Sequence, residues 1–547
     1  MKERDVLYEL LLQKLEKLDK LTPDRVISAF AWLQTLLNEF YSIGKSSELS
    51  KILPEFQSMF VPIDLISALH AYNSRCLLLQ RKHVSPTFKE IRHIFNWAII
   101  HSVTAHESGL QLLTLDADET IYSDGGTVTP SSPFVPLLIR LVQSGVHVAL
   151  VTAAGYPNAP HRYEQRLSGL LQAFQLAVDL GAPSDILSRF HVMGGECNYL
   201  HKINVQDGLV RLEVVPGTLW KDGRGVRWDV ASIDELLAAA EQALTACAQN
   251  LGLCMSIIRK ERAVGMIRTD GPKGWPYAVL EEIALDVQAA LASTPASAHV
   301  PYCCFNGGND VWIDIGHKAL GIRALQAFIG EPGKPVPPAA SVHIGDQFTG
   351  TGNDHKARDA ANTLWIANPA ESEFFLSLLL HQRSKALAAS GTHPSHHALL
   401  AHAADVPSAP PGVHVSANYS PAESPTAARG APSLPVPRQA PRMRSYTPPN
   451  LAALAELAAH ERSHTQIGSP GSLVATPELG AQESGHSTRL PGLELGHALS
   501  GTAAWLSAGG AVHGNLSGQG AHRAHGSARR SREASEDAAL NTAFGRM

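Results

Sequence analysis

The sequence predicts an α/β protein: a parallel-sheet core, an inserted α+β cap, a helical N-terminal region and a disordered C-terminal tail. Three observations predict it. Short apolar runs at Leu112–Leu115, Val146–Val151, Ser341–Ile344 and Thr363–Ile366 alternate with stretches of helical periodicity, as parallel strands with helices on both faces require. A stretch of about 150 residues, from Gly155 to about Phe305, interrupts that alternation and is itself the size of a domain. Beyond about His381 the composition turns to Ala, Gly, Ser, Pro and His, with few aromatics, and cannot bury enough apolar surface to offset its ordering entropy.

Taken in order, residues 1–104 read as helices. Val6, Leu7, Leu10, Leu11, Leu15 and Leu18 fall at helical spacing, and Thr22-Pro23 and Ser85-Pro86 are helix-start signals. No catalytic constellation occurs there, so a packing or oligomerisation module is expected. Residues 105–155 supply the first part of the core, 156–305 the cap, 306–381 the second part of the core, and 382–547 the tail.

Composition narrows the function. A chain of 547 residues exceeds one ordinary domain, and 44% hydrophobic residues suffice for several cores. The net charge of −5 provides no positive field for nucleic acid or an anionic membrane. A phosphate-bearing ligand would therefore be held by local donors and a metal. The six cysteines are scattered, without a C-x-x-C pair, as in reduced cytosolic proteins. No apolar run reaches the roughly 18 residues that span a bilayer, and the acidic N-terminal turns are unlike a signal or transit peptide. A soluble cytoplasmic protein is expected.

The strongest chemical signal is Asp116-Ala117-Asp118-Glu119-Thr120, immediately after the first core strand. Two carboxylates two residues apart can share a hard cation and divide labour. The first is placed to attack a phosphoryl group, provided a metal cancels the repulsion. The second can protonate the leaving oxygen and then deprotonate a water. Paired aspartates also cap helices, so three further elements matter. Thr152 ends the second strand and can offer hydroxyl and backbone donors to phosphate. Lys318 opens a helix and can stabilise charge on nucleophile and phosphoryl group. Asp346 ends a third strand, with Asn353-Asp354 in the same loop. In parallel sheets ligands gather at the carboxyl ends of strands, and all of these elements lie there.

This order resembles the motifs of the haloacid dehalogenase superfamily, which implies a Rossmann-like core with a C2-type cap. More narrowly, Asp116–Gly125, Met193–Leu200, Ile258–Gly265, Asn306–Gly316 and Gly345–Phe348 resemble the inosine-5′-monophosphate (IMP)-specific 5′-nucleotidases of fungi and apicomplexan parasites. The resemblance spans residues from about 1 to 380. It implies Mg2+-dependent hydrolysis of IMP, a homotetramer built partly through the helical N-terminal region, and allosteric activation by ATP. It makes Asp116 nucleophile and metal ligand, and Asp118 acid/base and a metal ligand through its backbone carbonyl. Asp346 completes the protein ligands, and Asp118, Asp124, Thr152, Asp310 and Lys318 contact substrate. His317 stands where the family pattern leads one to expect an acidic residue.

Other readings stay open on the residues alone. A sugar-phosphate phosphatase or phosphomutase shares the core motifs, and a non-catalytic regulatory protein could keep the same fold. Base recognition is expected from the cap, with Glu196 and Arg259 as candidates. The Arg259, Lys260 and Arg262 cluster is either a solvated face or an anion contact. Gly350-Thr351-Gly352 is a poor dinucleotide signal, since His355 stands at the last glycine position.

Overall fold

Short β-branched and leucine-rich runs bounded by polar residues become strands when both faces are covered. The computed structural model describes residues 5–389 apart from 57, 222–225 and 272–273. Its strands are β1 (Leu112–Leu115), β2 (His147–Val151), β3 (Phe190–Gly194), β4 (Tyr199–Gln206), β5 (Leu209–Val214), β6 (Met255–Arg259), β7 (Ala263–Arg268), β8 (Tyr302–Asn306), β9 (Val311–Ile315), β10 (Ser341–Gly345) and β11 (Asn362–Trp365). They form a seven-stranded sheet, β11-β10-β1-β2-β3-β4-β5, and a four-stranded sheet, β6-β7-β9-β8.

In the larger sheet β11, β10, β1, β2 and β3 are parallel. Leu115 pairs with both Ile344 and Leu150, so the carboxyl ends of the three central strands are level. That register brings Asp116, Asp346 and Thr152 to one rim. The smaller sheet is antiparallel throughout. Helices Val230–Leu251 and Tyr277–Ala292 cover one of its faces, with Val264, Val311, Ile313 and Ile315 buried beneath them.

Two expected boundaries shift. Residues 160–214 were assigned to the cap, but β3 continues the core sheet beside β2 and carries the β4–β5 hairpin. Residues 306–315 were assigned to the core, but β9 lies inside the cap sheet. An apolar run encodes the burial of a strand and not the identity of its neighbour. The consequence is that Gly194–Tyr199 sits at the rim of the core sheet, not in the cap.

The N-terminal region is helical: Val6–Glu16, Pro23–Ile43, Glu48–Ile52, Leu65–Cys76 and Phe88–Ala105. Thr87 and Glu90 form a capping box on the last of these. From it, Asn96 donates to the Trp365 carbonyl (2.7 Å) and accepts from the Trp365 N–H (3.1 Å). The outer edge of β11 is thereby paired by a side chain where no further strand follows. Arg92 of the same helix is buried against Glu371 at 2.9 Å.

The tail boundary also moves. Helix Pro369–Ala389 runs past residue 381, and the remainder of the expected tail lies outside the described residues. Arg383 donates to the carbonyls of Leu110 (2.8 Å) and Ser144 (2.7 Å) and to the Ser144 hydroxyl (3.0 Å). Among the described residues no helix is long and apolar enough to cross a membrane.

A chain ending at residue 381 should therefore melt several degrees below one ending at 389. Hydrogen bonds from a charged group contribute about 1.5–3 kcal/mol, and each kcal/mol moves a domain of this size by about 2–4 °C. Equal melting temperatures for the two truncations, compared by calorimetry, would show that Arg383 contributes nothing.

Candidate active site

The site is assembled at the rim where β1, β10 and β2 end together. Asp116 follows β1 directly, and its N–H donates to the Ile344 carbonyl (2.8 Å), which extends the ladder by one residue. One carboxylate oxygen accepts from the Ala117 N–H at 2.7 Å, and the other meets the Lys318 ammonium at 2.7 Å. Lys318 is the first residue of helix Lys318–Ile329 and is fully buried. Its ammonium also reaches Asp354 at 2.6 Å.

Asp354 is held from several sides. His343 Nε2 lies 2.8 Å from Oδ1, and the Gln347 N–H donates to Oδ2 at 2.9 Å. Burial lowers the pKa of His343, with Asp354 pulling the other way. On the other side of the ring, Nδ1 lies 2.9 Å from the Thr114 hydroxyl, which is also 3.2 Å from the Val342 carbonyl. Gly345 makes room for this carboxylate, since a Cβ there would lie 2.2 Å from Asp354 Oδ2.

Oxygens of Asp116, Asp346 and Asp354 all lie within 4.8 Å of one another. Three carboxylates around one ammonium leave a surplus of two negative charges, which suits a divalent cation. Burial and the Asp354 charge push Asp116 up to about 7 against the pull of Lys318. Burial would pull Lys318 down, but Asp116, Asp354 and Glu196 outweigh it and hold it cationic. Burial also raises Asp354, yet Lys318 and His343 bring it down to about 2. Asp346 is raised well above the carboxylate range by burial and then by Asp354 and Asp116. That repulsion is what a bound cation would relieve.

The other predicted residues lie on neighbouring loops of the core and the cap. Asp118 accepts from the Gly125 N–H at 3.0 Å, and burial raises its pKa. Between the two aspartates and their loop, Glu119 adopts φ = 53° and accepts from the Asp124 N–H at 2.9 Å. Thr152 is 4% exposed. Its own N–H is consumed by the Met193 carbonyl (3.0 Å) and its hydroxyl oxygen accepts from Ala154, so the hydroxyl hydrogen is what it has to offer. Asp124, exposed on the core loop, accepts from Asn309 of the cap at 2.9 Å. Asp310, next in the cap loop, is pushed up to about 6 by burial together with Asp124 and Asp118. Its carboxyl lies over Gly307, where a Cβ would meet it at 2.1 Å.

Two expectations change. Glu196 is fully buried on a left-handed turn (φ = 64°) at the end of β3, with one oxygen accepting from Asn353 at 3.3 Å. Its carboxylate has no exposed surface to offer a base. Arg259 points to the outer helix of the cap, paired with Asp234 (3.4 Å) and Glu241 (3.8 Å). Asp354 is the site residue that the candidate ligand set left out, although its position in the Asp346 loop was the signal. His317 is the N-cap residue of the Lys318 helix, with no side-chain cap bond.

The family model for IMP-specific 5′-nucleotidases matches residues 11–376. The IMP-specific 5′-nucleotidase 1 of Eremothecium gossypii is 39% identical over 373 residues, covering 64% of this chain and 86% of the relative. Its counterpart from Saccharomyces cerevisiae is 36% identical over 354 residues, covering 61% and 78%. Among solved structures, an IMP-bound aspartate-to-asparagine mutant of Plasmodium falciparum IMP-nucleotidase is similar with a TM-score of 0.62. It is 31% identical and covers 70% of this chain and 95% of that one. An ATP-bound structure of the Plasmodium protein gives a TM-score of 0.59 at 31% identity, covering 70% and 86%.

The Gly345→Ala variant tests the packing of this centre. A methyl group 2.2 Å from a carboxylate oxygen forces Asp354 aside, and overpacking of this kind costs about 1–3 kcal/mol. The variant should melt earlier and lose most of the stabilisation that a divalent cation gives the parent. An unchanged cation-induced shift would show that Asp354 is not part of the cation site.

Proposed function

The chain belongs to the family of IMP-specific 5′-nucleotidases, and from that premise we propose that it hydrolyses IMP to inosine and phosphate through a phosphoryl group carried on Asp116. As a member it is a 5′-nucleotidase, a phosphoric monoester hydrolase. The observation that most supports the mechanism is the buried Asp116–Lys318–Asp354 bridge with Asp346 beside it.

Asp116, Asp346 and Asp354 form an all-oxygen donor set of the kind hard cations prefer. Mg2+ would be held there, with the Asp118 carbonyl added as the family resemblance implies. When bound, it would neutralise phosphoryl oxygens so that an anionic carboxylate can approach. Asp116 then forms a bond to phosphorus as the bond to the ribose 5′-oxygen breaks, and Asp118 gives that oxygen its proton. The raised pKa of Asp118, caused by burial, suits it to carry the proton. A water next attacks phosphorus, Asp118 takes the water's proton, and the bond to Asp116 breaks to release phosphate. Lys318 stabilises the negative charge that accumulates between Asp116 and the transferred group. Thr152 donates its hydroxyl to a phosphoryl oxygen, and Asp124 and Asp310 supply acceptors for the ribose hydroxyls.

The Plasmodium structures were determined with IMP and with ATP bound, which supports the nucleotide reading over sugar phosphates. On the same footing ATP is a second, activating ligand, acting allosterically. The helical N-terminal region builds a homotetramer, and the enzyme works in purine nucleotide turnover in the cytoplasm.

Asp116→Asn should abolish turnover with the fold intact, because an amide of equal size is a poor nucleophile and a weaker cation ligand. Substantial phosphate release by a folded variant would defeat the covalent mechanism. Asp118→Asn should slow hydrolysis of nucleotides about 10²- to 10⁴-fold, and wild-type rates would remove its acid–base role. The wild-type enzyme should prefer IMP to adenosine 5′-monophosphate (AMP) by at least about tenfold in kcat/KM, measured by phosphate release.

A further inference from the structure

Glu196 is fully buried and Arg259 is paired with Asp234 and Glu241, which points to other residues for a base-reading group. Strand β9 shows where they are. Val311, Ile313 and Ile315 are fully buried under the cap helices, so Trp312 and Asp314 emerge on the opposite face. That face is turned to the core: Asn309 bonds Asp124, and Asp310 lies within electrostatic reach of Asp118. The Trp312 ring lies flat across Gly265, its cross-strand partner, where a Cβ would sit 2.5 Å from the ring.

Lys260, in the turn between β6 and β7, holds its ammonium 4.1 Å from the centroid of the Trp312 ring. Its basic neighbours are already paired, Arg259 with Asp234 and Glu241, and Arg262 with Glu261 at 3.2 Å. Among the described residues Lys260 alone of the three has no ion-pair or side-chain hydrogen-bond partner. Burial lowers its pKa, while Asp314 and Asp310 keep it up. Arg162, on the core helix Pro160–Arg166, lies within electrostatic reach of it and 5.3 Å from the Tyr156 ring. Two cations within electrostatic reach of one another, each beside an aromatic ring, favour a hydrogen-bond acceptor near Lys260.

The Asp310 carboxyl interacts with Asp118 and Asp124 of the core loop and also with Lys260, which places the Lys260 ammonium next to a residue assigned above to the ribose. We propose that Lys260 is the base-reading residue, donating from its ammonium to the 6-oxo group of a purine nucleotide while Trp312 holds it in place. The inference rests on the IMP reading above and adds the group that enforces it. An ammonium only donates. It can pair with the 6-oxygen of hypoxanthine, whereas the 6-amino group of adenine would meet it donor to donor. Guanine carries the same oxygen, so Lys260 separates 6-oxo from 6-amino purines and does not exclude guanine.

The test compares wild type, Lys260→Met and Lys260→Arg on three substrates: IMP, AMP and purine riboside 5′-monophosphate, which lacks the 6-oxygen. Lys260→Met should lower kcat/KM for IMP by about tenfold or more, mostly through KM. The other two substrates should change by less than about threefold. Lys260→Arg, which keeps a cation over the ring, should recover much of the preference for IMP over AMP. A Lys260→Met enzyme that loses the same factor on all three substrates, as a phosphate contact would cause, overturns the proposal. So does one that keeps the wild-type IMP-to-AMP ratio. Wild type without that preference would instead defeat the IMP-specific reading on which the inference rests, and this is decided before any variant is made.

Discussion

The structure depends on one buried cation. Lys318 has no exposed surface, and an ammonium in that position is tolerable only with close, well-oriented carboxylates. Asp116 and Asp354 provide them at 2.7 and 2.6 Å, and each is itself anchored. Asp116 is tied to the ladder through the Ile344 carbonyl, and Asp354 to His343 and the Gln347 N–H. Replacing Lys318 would leave Asp116 and Asp354 facing each other without a counter-charge. The same bridge orients the carboxylates to which the proposed chemistry is assigned, so stability and preorganisation would come from the same atoms.

Around that bridge, the turn 194–198 joins the other site elements. The Glu196 N–H donates to the Thr152 carbonyl at 2.9 Å. Its side chain takes a hydrogen bond from Asn353. Its own carbonyl packs so closely on Gly321 that a Cβ there would be 2.3 Å away. Thr152, the Lys318 helix and the Asp354 loop are thus registered against one turn of the core sheet.

The N-terminal helices reach the same loop from behind. Asp5 caps the first helix through the N–H groups of Leu7 and Tyr8 and pairs with Arg358. Arg358 stands over the rings of Phe348 and Trp365, and the Trp365 indole donates to the Asp346 carbonyl at 2.9 Å. A displacement of the first helix would be felt through packed aromatics by a residue of the cation site.

The sequence by itself determined the chemistry of the rim. Short apolar runs end in strands, parallel strands gather ligands at their carboxyl ends, and carboxylates, threonine and lysine at those ends suit a phosphoryl group. That Asp116, Thr152 and Asp346 end neighbouring strands, with Lys318 reaching Asp116, follows that pattern. What only the tertiary structure decided was partnership and direction. Apolarity records that Phe190–Gly194 and Val311–Ile315 are buried, but not that the first joins the core sheet and the second the cap. Likewise Arg259 and Lys260 are adjacent and equally basic. The strand end turns one toward Asp234 and the other toward Trp312, because side-chain direction follows backbone register and not residue type.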